Sequence, residues 1–311
     1  MSGSERLGGI AAVVLVVCCA AWGFNQVAIK ISLAGVSPLL GAGLRSLVAA
    51  ALLWVWCRLR DEPLLVADGT WAYGLLLGLL FAAEFVFIYG GLAFTTASRS
   101  VIFLYSAPFF VALGAHVVIP EERLTWTRAA GLVVAFVGLC LGFVDALHLP
   151  SRRELLGDGL ELAGGLIWGA NTVIIKARRD ARMTPQRTLF YQLSISAVAL
   201  IGLSALVGER GVIAVTAPVV AALAYQAVIV AFVSYLIWFW LLQRHPASGL
   251  AAFSFWTPLF GVLAGWLVLG DRLSGNLWAA AVLVAAGIYL VNRRDRAGRL
   301  SPCPLPRRGR G

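Results

Sequence analysis

The sequence has little charge and few of the motifs that soluble enzymes use. Only 13% of its 311 residues are charged, 60% are hydrophobic, and the mean hydropathy is +0.86. A chain this apolar lies outside the range of a soluble globular domain. Its three histidines are scattered, and no HExxH, GxSxG or Walker A sequence occurs. These absences argue against an enzyme or an ATPase, and they imply no metal and no nucleotide cofactor.

The five cysteines and the positive charge also lack the patterns of a metal site or a nucleic-acid surface. The cysteines form no CxxC pair, and four of them lie in apolar segments, so we expect them to be small packing residues. The net charge is +10, but the basic residues lie between apolar segments and in the tail. The charge therefore indicates membrane topology, and we expect no nucleic-acid partner.

Apolar segments are abundant, and most of them have the length of about 20 residues that a helix needs to cross a bilayer. They are too long and too uniformly apolar for barrel strands, so helices are the structure that satisfies their backbone hydrogen bonds in lipid. The sequence predicts an all-α integral membrane protein with ten transmembrane helices. The predicted helices are 10–30, 38–57, 71–93, 98–118, 126–144, 159–177, 188–207, 217–241, 248–269 and 275–292.

The distribution of basic residues between the two sides of the membrane predicts the orientation. Eighteen lysines and arginines fall on the side that holds both termini and six on the other side. Because basic residues accumulate on the cytoplasmic side, both termini are predicted to be cytoplasmic, in a multi-pass protein of the inner (plasma) membrane. The basic segment 293–311, rich in proline and glycine, is predicted to be a disordered cytoplasmic tail.

An internal duplication is the most informative pattern in the chain. The sequence WGxNxVxIK occurs at 22–30 and again at 168–176, an offset of 146, and Pro108 matches Pro258 at an offset of 150. Each copy holds five helices, so the second copy must enter the membrane from the opposite face. The sequence therefore predicts two inverted five-helix repeats, at 10–144 and 159–292, an architecture of many secondary transporters.

These motifs together resemble the EamA family of the drug/metabolite transporter superfamily, ten-helix carriers with two EamA repeats. The residues that carry the resemblance are the two WGxNxVxIK openings, Pro38 with Leu44-Arg45, Thr96-Ala-Ser98, Ala107-Pro108, Tyr235 with Trp238, Pro258, and the turns Glu122-Arg-Leu124 and Asp271-Arg-Leu273. The resemblance implies a secondary transporter that exports amino acids or related small metabolites by alternating access, coupled to protons or to exchange. A channel-like or non-transporting membrane subunit is the alternative. The expected partners are a small-molecule substrate, the lipid bilayer and protons, and the oligomeric state is open.

Two charged residues inside predicted helices are the leading candidates for substrate binding or coupling. Glu84 is the acidic residue in the middle of a span, where an ionised carboxylate costs about 2.5–3.5 kcal/mol, so it is expected to face the bundle interior. It either carries a proton or forms a structural ion pair. Arg45 has three open alternatives: its side chain extends to the interface, pairs with Glu84, or binds a substrate carboxylate.

The matched residues of the two repeats supply further candidates. Asn25 shares a helix face with Trp22, and Asn171 with Trp168, so each pair either joins helices or contacts substrate. Four aromatic residues either wall an apolar cavity or pack in the core: Tyr105, Tyr235, Trp238 and Trp256.

Features at the helix centres and ends complete the set. Pro108 and Pro258 are expected to kink their helices, with freed carbonyl groups that either line a cavity or only bend the chain. Lys30 and Lys176, at the ends of their helices, are expected to reach the membrane interface.

Overall fold

The computed structural model describes residues 8–146, 149–178, 182–270 and 275–293, and within these ranges the chain is helical, with one isolated bridge between Val36 and Val212. The helices are α1 Gly9–Ser32, α2 Pro38–Arg58, α3 Trp71–Leu92, α4 Ala97–Val118, α5 Trp126–Gly142, α6 Arg152–Arg178, α7 Pro185–Leu206, α8 Ala217–Arg244, α9 Ala247–Leu269 and α10 Leu277–Asn292. A short 3₁₀ turn covers Val144–Ala146. The all-α prediction is confirmed, and a helix occupies each predicted range.

The helices differ in how well they suit a bilayer. Among the described helices, seven are long and apolar enough to cross a membrane, namely α1 to α4 and α7 to α9. Helices α5 and α10 are apolar but shorter, with 17 and 16 residues. Helix α6 has 27 residues and carries charged side chains in its first three turns and at its end.

Three helices depart from regular α-geometry. Helix α4 is interrupted between the segments Ala97–Leu104 and Ala107–Val118, and α9 between Ala247–Phe253 and Trp256–Leu269. Pro108 and Pro258 lie in the first turn of the second segments, where a missing N–H costs no helical hydrogen bond. Helix α8 is π-helical over Gln226–Ser234, a distortion that is frequent at functional sites.

Glycines allow the main helix pairs to approach closely. The principal contacts join α5 with α10, α2 with α7, α3 with α6, and α1 with the second half of α9. A Cβ atom on Gly287 would lie 2.5 Å from the backbone nitrogen of Ala135, and one on Gly78 would lie 2.5 Å from Cβ of Ile195. Small residues therefore set the spacing of these helices.

Contacts between loops define two ends of the helical bundle. At one end, which we call the Val36 end, the 33–37 loop pairs with the 207–216 loop, and Glu209 accepts hydrogen bonds from the first N–H groups of α2. At the other, the Glu122 end, residues 119–122 meet the end of α6 and the 242–248 segment. The cytoplasmic tail predicted at 293–311, apart from Arg293, and the turn Asp271–Leu273 lie outside the described residues.

Candidate functional site

A cavity of about 170 Å³ lies between α1, α2, α3, α4, α6, α7 and α8. An apolar cavity of roughly 150 Å³ holds a benzene-sized molecule, so this one suits a small organic solute. Nine of the twelve candidates from the sequence line it: Trp22, Asn25, Arg45, Glu84, Tyr105, Trp168, Asn171, Tyr235 and Trp238.

The two copies of the WGxNxVxIK sequence contribute matching residues to the cavity. The first copy provides Trp22, Asn25, Gln26 and Ile29, and the second provides Trp168, Asn171, Thr172 and Ile175. Each residue of the second set lies 146 positions after its counterpart in the first. Helices α1 and α6 therefore present the same face to the same space.

Arg45 is a buried cation whose guanidinium forms no hydrogen bond of normal length among the described residues, although Tyr235 and Glu84 lie close enough to interact with its charge. Its side chain is 1% exposed, and its guanidinium carbon lies 4.2 Å from the centre of the Phe85 ring. None of its three side-chain nitrogens has a hydrogen-bond partner, and it forms no ion pair in the described part of the chain. The side chain therefore does not extend to the interface, and the predicted pairing with Glu84 is not observed.

Glu84 faces the same cavity from α3 and is nearly enclosed, at 9% exposure. Its position agrees with the expectation that an acidic group in the middle of a span turns toward the bundle interior. Among its described lining residues the cavity thus has one acidic and one basic side chain, which form no salt bridge although their charges interact.

Amide side chains supply further unpartnered polar atoms. Asn25 and Asn171 each have a buried side-chain oxygen without a partner, and the fully buried Gln192 has no partner for either its oxygen or its nitrogen. Leaving a buried polar atom unpaired costs about 1–3 kcal/mol, so such atoms mark a place that a ligand or water fills. The sequence did not lead us to predict Gln192 as a site residue. The feature that could have indicated it is its position as a polar residue inside the apolar segment 188–207.

Aromatic rings form much of the wall. Trp22 meets Trp238 edge to face at 5.6 Å, and Tyr105 meets Trp168 in the same way at 5.8 Å. The indole N–H of Trp22 donates to Oγ of Ser234 at 2.7 Å, which fixes the ring. These contacts give the cavity a rigid apolar wall with few polar groups, which is usual in small-molecule sites.

Three candidates are not brought to the cavity. Trp256 stacks on Phe260 with ring centres 5.7 Å apart, while Pro108 and Pro258 are buried in helix contacts. Leu104, the last residue before the interruption of α4, does line the cavity.

The cavity differs at its two ends. Toward the Val36 end it reaches Leu92, which is 38% exposed. Toward the Glu122 end it reaches Ile175, next to the buried Lys176, whose ammonium donates to the carbonyl groups of Leu242 and His245 at 2.8 and 2.7 Å. Lys176 therefore packs inside the end of the helical bundle and is not exposed on its surface.

Carboxylates strengthen the Glu122 end. Glu122 accepts a hydrogen bond from the backbone N–H of Ala247 at 2.7 Å and lies 4.0 Å from the ammonium of Lys176. Burial raises the pKa of the Glu122 carboxyl, and the Lys176 charge opposes that change.

A second ion pair lies in the 59–70 loop. Asp68 pairs with Arg187 at 2.7 Å, and hydrogen bonds from Arg187 and Thr70 hold the pKa of Asp68 well below its usual range.

The described residues contain no group of three or more His, Cys, Asp or Glu side chains that could hold a metal ion. What the cavity offers instead is one guanidinium, one carboxyl, several amides and aromatic walls. This set suits the reversible binding of a small amphipathic molecule.

Comparison with known proteins places the chain among membrane transporters. It is 29% identical to a probable amino-acid metabolite efflux pump of Salmonella typhimurium over 92% of this chain and 95% of that protein, and 27% identical to a probable amino-acid metabolite efflux pump of Escherichia coli over 92% and 95%. The uncharacterized transporter YoaV of Bacillus subtilis is 24% identical over 86% of this chain and 92% of its own length.

A solved crystal structure shares the fold, with a TM-score of 0.77 at 19% identity over 92% of this chain and 96% of the other. The model of the EamA-like transporter family matches residues 9–144 and 155–293. Together these two matches span nearly the whole of the helical region. The chain belongs to the EamA-like transporter family.

Proposed function

We propose that this protein is a secondary transporter that exports amino acids or related small metabolites by alternating access, with transport coupled to protons or to exchange. The family supports transport, and the names of two relatives support amino-acid metabolites as the substrate class. The observation that carries the proposal is Arg45, a buried guanidinium that faces the cavity without a hydrogen bond of normal length among the described residues.

The chemistry of the cavity suits a zwitterion with an apolar body. Because Phe85 covers one face of the Arg45 guanidinium, the donors at its edge stay available for a carboxylate, which they can bind in a bidentate manner. The Glu84 carboxyl and the amide oxygens of Asn25 and Asn171 are acceptors that suit a substrate ammonium group. The aromatic wall provides the surface for an apolar side chain of about benzene size.

The architecture that best supports this activity is ten transmembrane helices in two inverted repeats, 10–144 and 159–292. The matched contributions of α1 and α6 to one cavity support this arrangement, because inverted repeats place the binding site at their interface. The excess of basic residues near the Glu122 end supports a cytoplasmic location of that end and of both termini, in the inner (plasma) membrane.

A carrier accounts for the cavity better than the alternative of a channel-like or non-transporting subunit. A channel needs a continuous path, whereas the buried Lys176 joins the ends of α6 and α8 at the Glu122 end, beyond the last cavity-lining residue of α6, Ile175. A non-transporting subunit has no need of an unpartnered buried arginine. Proton coupling is supported by Glu84, the acidic residue in the cavity, which can exchange a proton when access changes.

A metabolite screen tests the proposal. Cells that overproduce the wild type, Arg45→Ala or the control Arg210→Ala would be compared for excreted amino acids and for resistance to toxic amino-acid analogues. Arg210 is an exposed arginine outside the cavity. We expect one or more amino acids to accumulate in the medium with the wild type and with Arg210→Ala but not with Arg45→Ala. Equal excretion in all three strains would refute the role given to the cavity.

A further inference from the structure

Lys176 joins three parts of the chain at the Glu122 end. The residue is 6% exposed. Its ammonium donates to two carbonyl groups, those of Leu242 at the end of α8 and His245 in the following turn. Glu122, in the loop that follows α4, lies 4.0 Å from the same ammonium. These contacts hold the ends of α4, α6 and α8 together.

Glu122 also fixes the start of α9. One carboxylate oxygen accepts from the N–H groups of Ala247 at 2.7 Å and Ser248 at 3.4 Å, the first two residues of that helix. A carboxylate at a helix N-terminus satisfies N–H groups that have no partner within the helix. The lysine and the glutamate thus bind the carbonyl end of one helix and the N–H end of the next.

The other repeat holds the corresponding residues at the Val36 end. Lys30 is the counterpart of Lys176 at the offset of 146, and Leu92 and Thr95 are the counterparts of Leu242 and His245 at the offset of 150. Leu92 is the last residue of α3, and Thr95 lies in the turn before α4 begins at Ala97. Backbone carbonyls therefore occupy the corresponding chain positions at both ends.

In this structure only one of the two lysines is engaged. Lys30 is exposed and has no hydrogen bond or ion pair among the described residues, while Lys176 is buried. The cavity-lining residues one turn earlier differ in the same way: Gln26 is exposed, whereas Thr172 is 3% exposed. The two matched positions thus differ: Lys176 and Thr172 are buried at the Glu122 end, whereas Lys30 and Gln26 are exposed at the Val36 end.

We propose that Lys176 and Lys30 are alternating latches of the transport cycle, an inference that rests on the proposed function. In the conformation described, Lys176 closes the Glu122 end. In the alternate conformation, Lys176 leaves the carbonyls of Leu242 and His245, and Lys30 binds those of Leu92 and Thr95, which closes the Val36 end. Each lysine positions its helix ends and does not bind the substrate.

Cysteine labelling tests this proposal without any substrate. The reporters are Gln26→Cys and Thr172→Cys, which occupy matched positions one turn inside the two lysines. Each is placed in a background whose five native cysteines are replaced. A charged, membrane-impermeant maleimide is added to sealed membranes from one side at a time. The labelling rate of each reporter then reports how often its end of the cavity is open.

The two latch variants should shift labelling in opposite directions. Lys176→Ala should raise labelling of the Thr172→Cys reporter from the Glu122 side by about fivefold or more, because it weakens the closure of that end. Lys30→Ala should lower that same labelling below the wild-type rate, because the conformation closed at the Val36 end loses its latch. The exposed arginines Arg244 and Arg210, changed singly to alanine, are controls for the two ends and should leave both rates unchanged.

Several results would overturn the proposal. It fails if Lys176→Ala leaves the labelling rate of the Thr172→Cys reporter unchanged. It also fails if Lys30→Ala raises that rate as Lys176→Ala does, since both substitutions would then only destabilise the packing of the helices. If Lys176→Ala does not reach the membrane, Lys176→Gln replaces it, because the amide keeps one donor group. Lys176→Gln should raise the labelling rate of the Thr172→Cys reporter by a smaller factor, and an unchanged rate refutes the latch. Because labelling needs no substrate, its failure leaves the export proposal to be tested by excretion.

Discussion

The guanidinium of Arg45 lies over the ring of Phe85, 4.2 Å from its centre, and its nitrogens form no hydrogen bond of normal length in the described part of the chain. An aromatic face attracts a cation but does not satisfy its N–H donors. Arg45 is therefore held in place while its hydrogen-bonding edge stays free. This combination is costly for the folded protein and useful for binding an anion.

Replacing Arg45 should separate stability from transport. Arg45→Met removes an unpaired buried charge at similar volume, so the midpoint of thermal unfolding in detergent should rise, by an amount corresponding to about 1–4 kcal/mol. Export should be lost in the same variant. A second variant, Arg45→Lys, keeps the charge but not the bidentate geometry and should raise KM about tenfold or more with little change in unfolding. A fall in the midpoint for Arg45→Met would show that the arginine is structural.

Glu84→Gln should keep the fold and remove proton coupling. The amide has the shape of the carboxyl but cannot exchange a proton, so expression and thermal unfolding should match the wild type while uptake driven by a pH gradient disappears. Exchange of substrate across the membrane without a pH gradient should persist if Glu84 serves only the proton. The measurement is flux in proteoliposomes with and without an imposed gradient. Wild-type pH-driven flux in this variant would contradict the assignment.

The contact between α5 and α10 should not tolerate a side chain at Gly287. A Cβ atom there would lie 2.5 Å from the backbone nitrogen of Ala135 and from the carbonyl oxygen of Gly131, and backbone atoms cannot rotate away. Gly287→Ala should therefore destabilise the protein by about 1–3 kcal/mol, measured as a lower midpoint of thermal unfolding. Gly202 is the matched control, because a Cβ atom there meets nothing within 4 Å. Gly202→Ala should leave the midpoint unchanged or raise it.

The Asp68–Arg187 pair should make stability depend on pH. Because the pKa of Asp68 is lower in the folded protein than its ordinary value, the pair stabilises the fold fully above the unfolded pKa, about 3.9, and this contribution is lost as the pH falls below that value. Asp68→Asn should lower the unfolding midpoint at neutral pH and flatten its decline in acid. Asp61→Asn is the control in the same loop, since Asp61 is exposed and its positive φ of 54° suits asparagine. Equal pH profiles for the wild type and Asp68→Asn would refute the contribution of this pair.

Much of the fold could be predicted because the bilayer restricts the choices. Ten apolar segments in the sequence each coincide with a helix, since a chain in lipid must satisfy its own backbone hydrogen bonds. The proline positions also predicted where α4 and α9 are interrupted. The π-helical part of α8, over Gln226–Ser234, could not be predicted, because its sequence is as apolar as that of a regular helix.

The site was predictable where a polar residue stands out against an apolar segment, as Arg45, Glu84 and the two asparagines do. Which of these residues contact each other could not be predicted. Such contacts depend on how the helices are rotated and spaced, and the sequence of a single helix does not indicate either. Lys176 illustrates the limit. Its position at a helix end predicts an interfacial side chain, and only the neighbouring ends of α4 and α8 reveal the carbonyls and the carboxylate that bury it.

Counterflow in proteoliposomes tests the central claim most directly. Vesicles that contain the purified protein are loaded with one unlabelled amino acid found in the excretion screen, and the same labelled compound is added outside at low concentration. A carrier with one cavity open to one side at a time predicts transient accumulation of label above its equilibrium level, lost in Arg45→Ala and kept in Arg210→Ala. Uptake that rises only to equilibrium would indicate a channel, and no uptake above that of protein-free vesicles would contradict transport of these compounds.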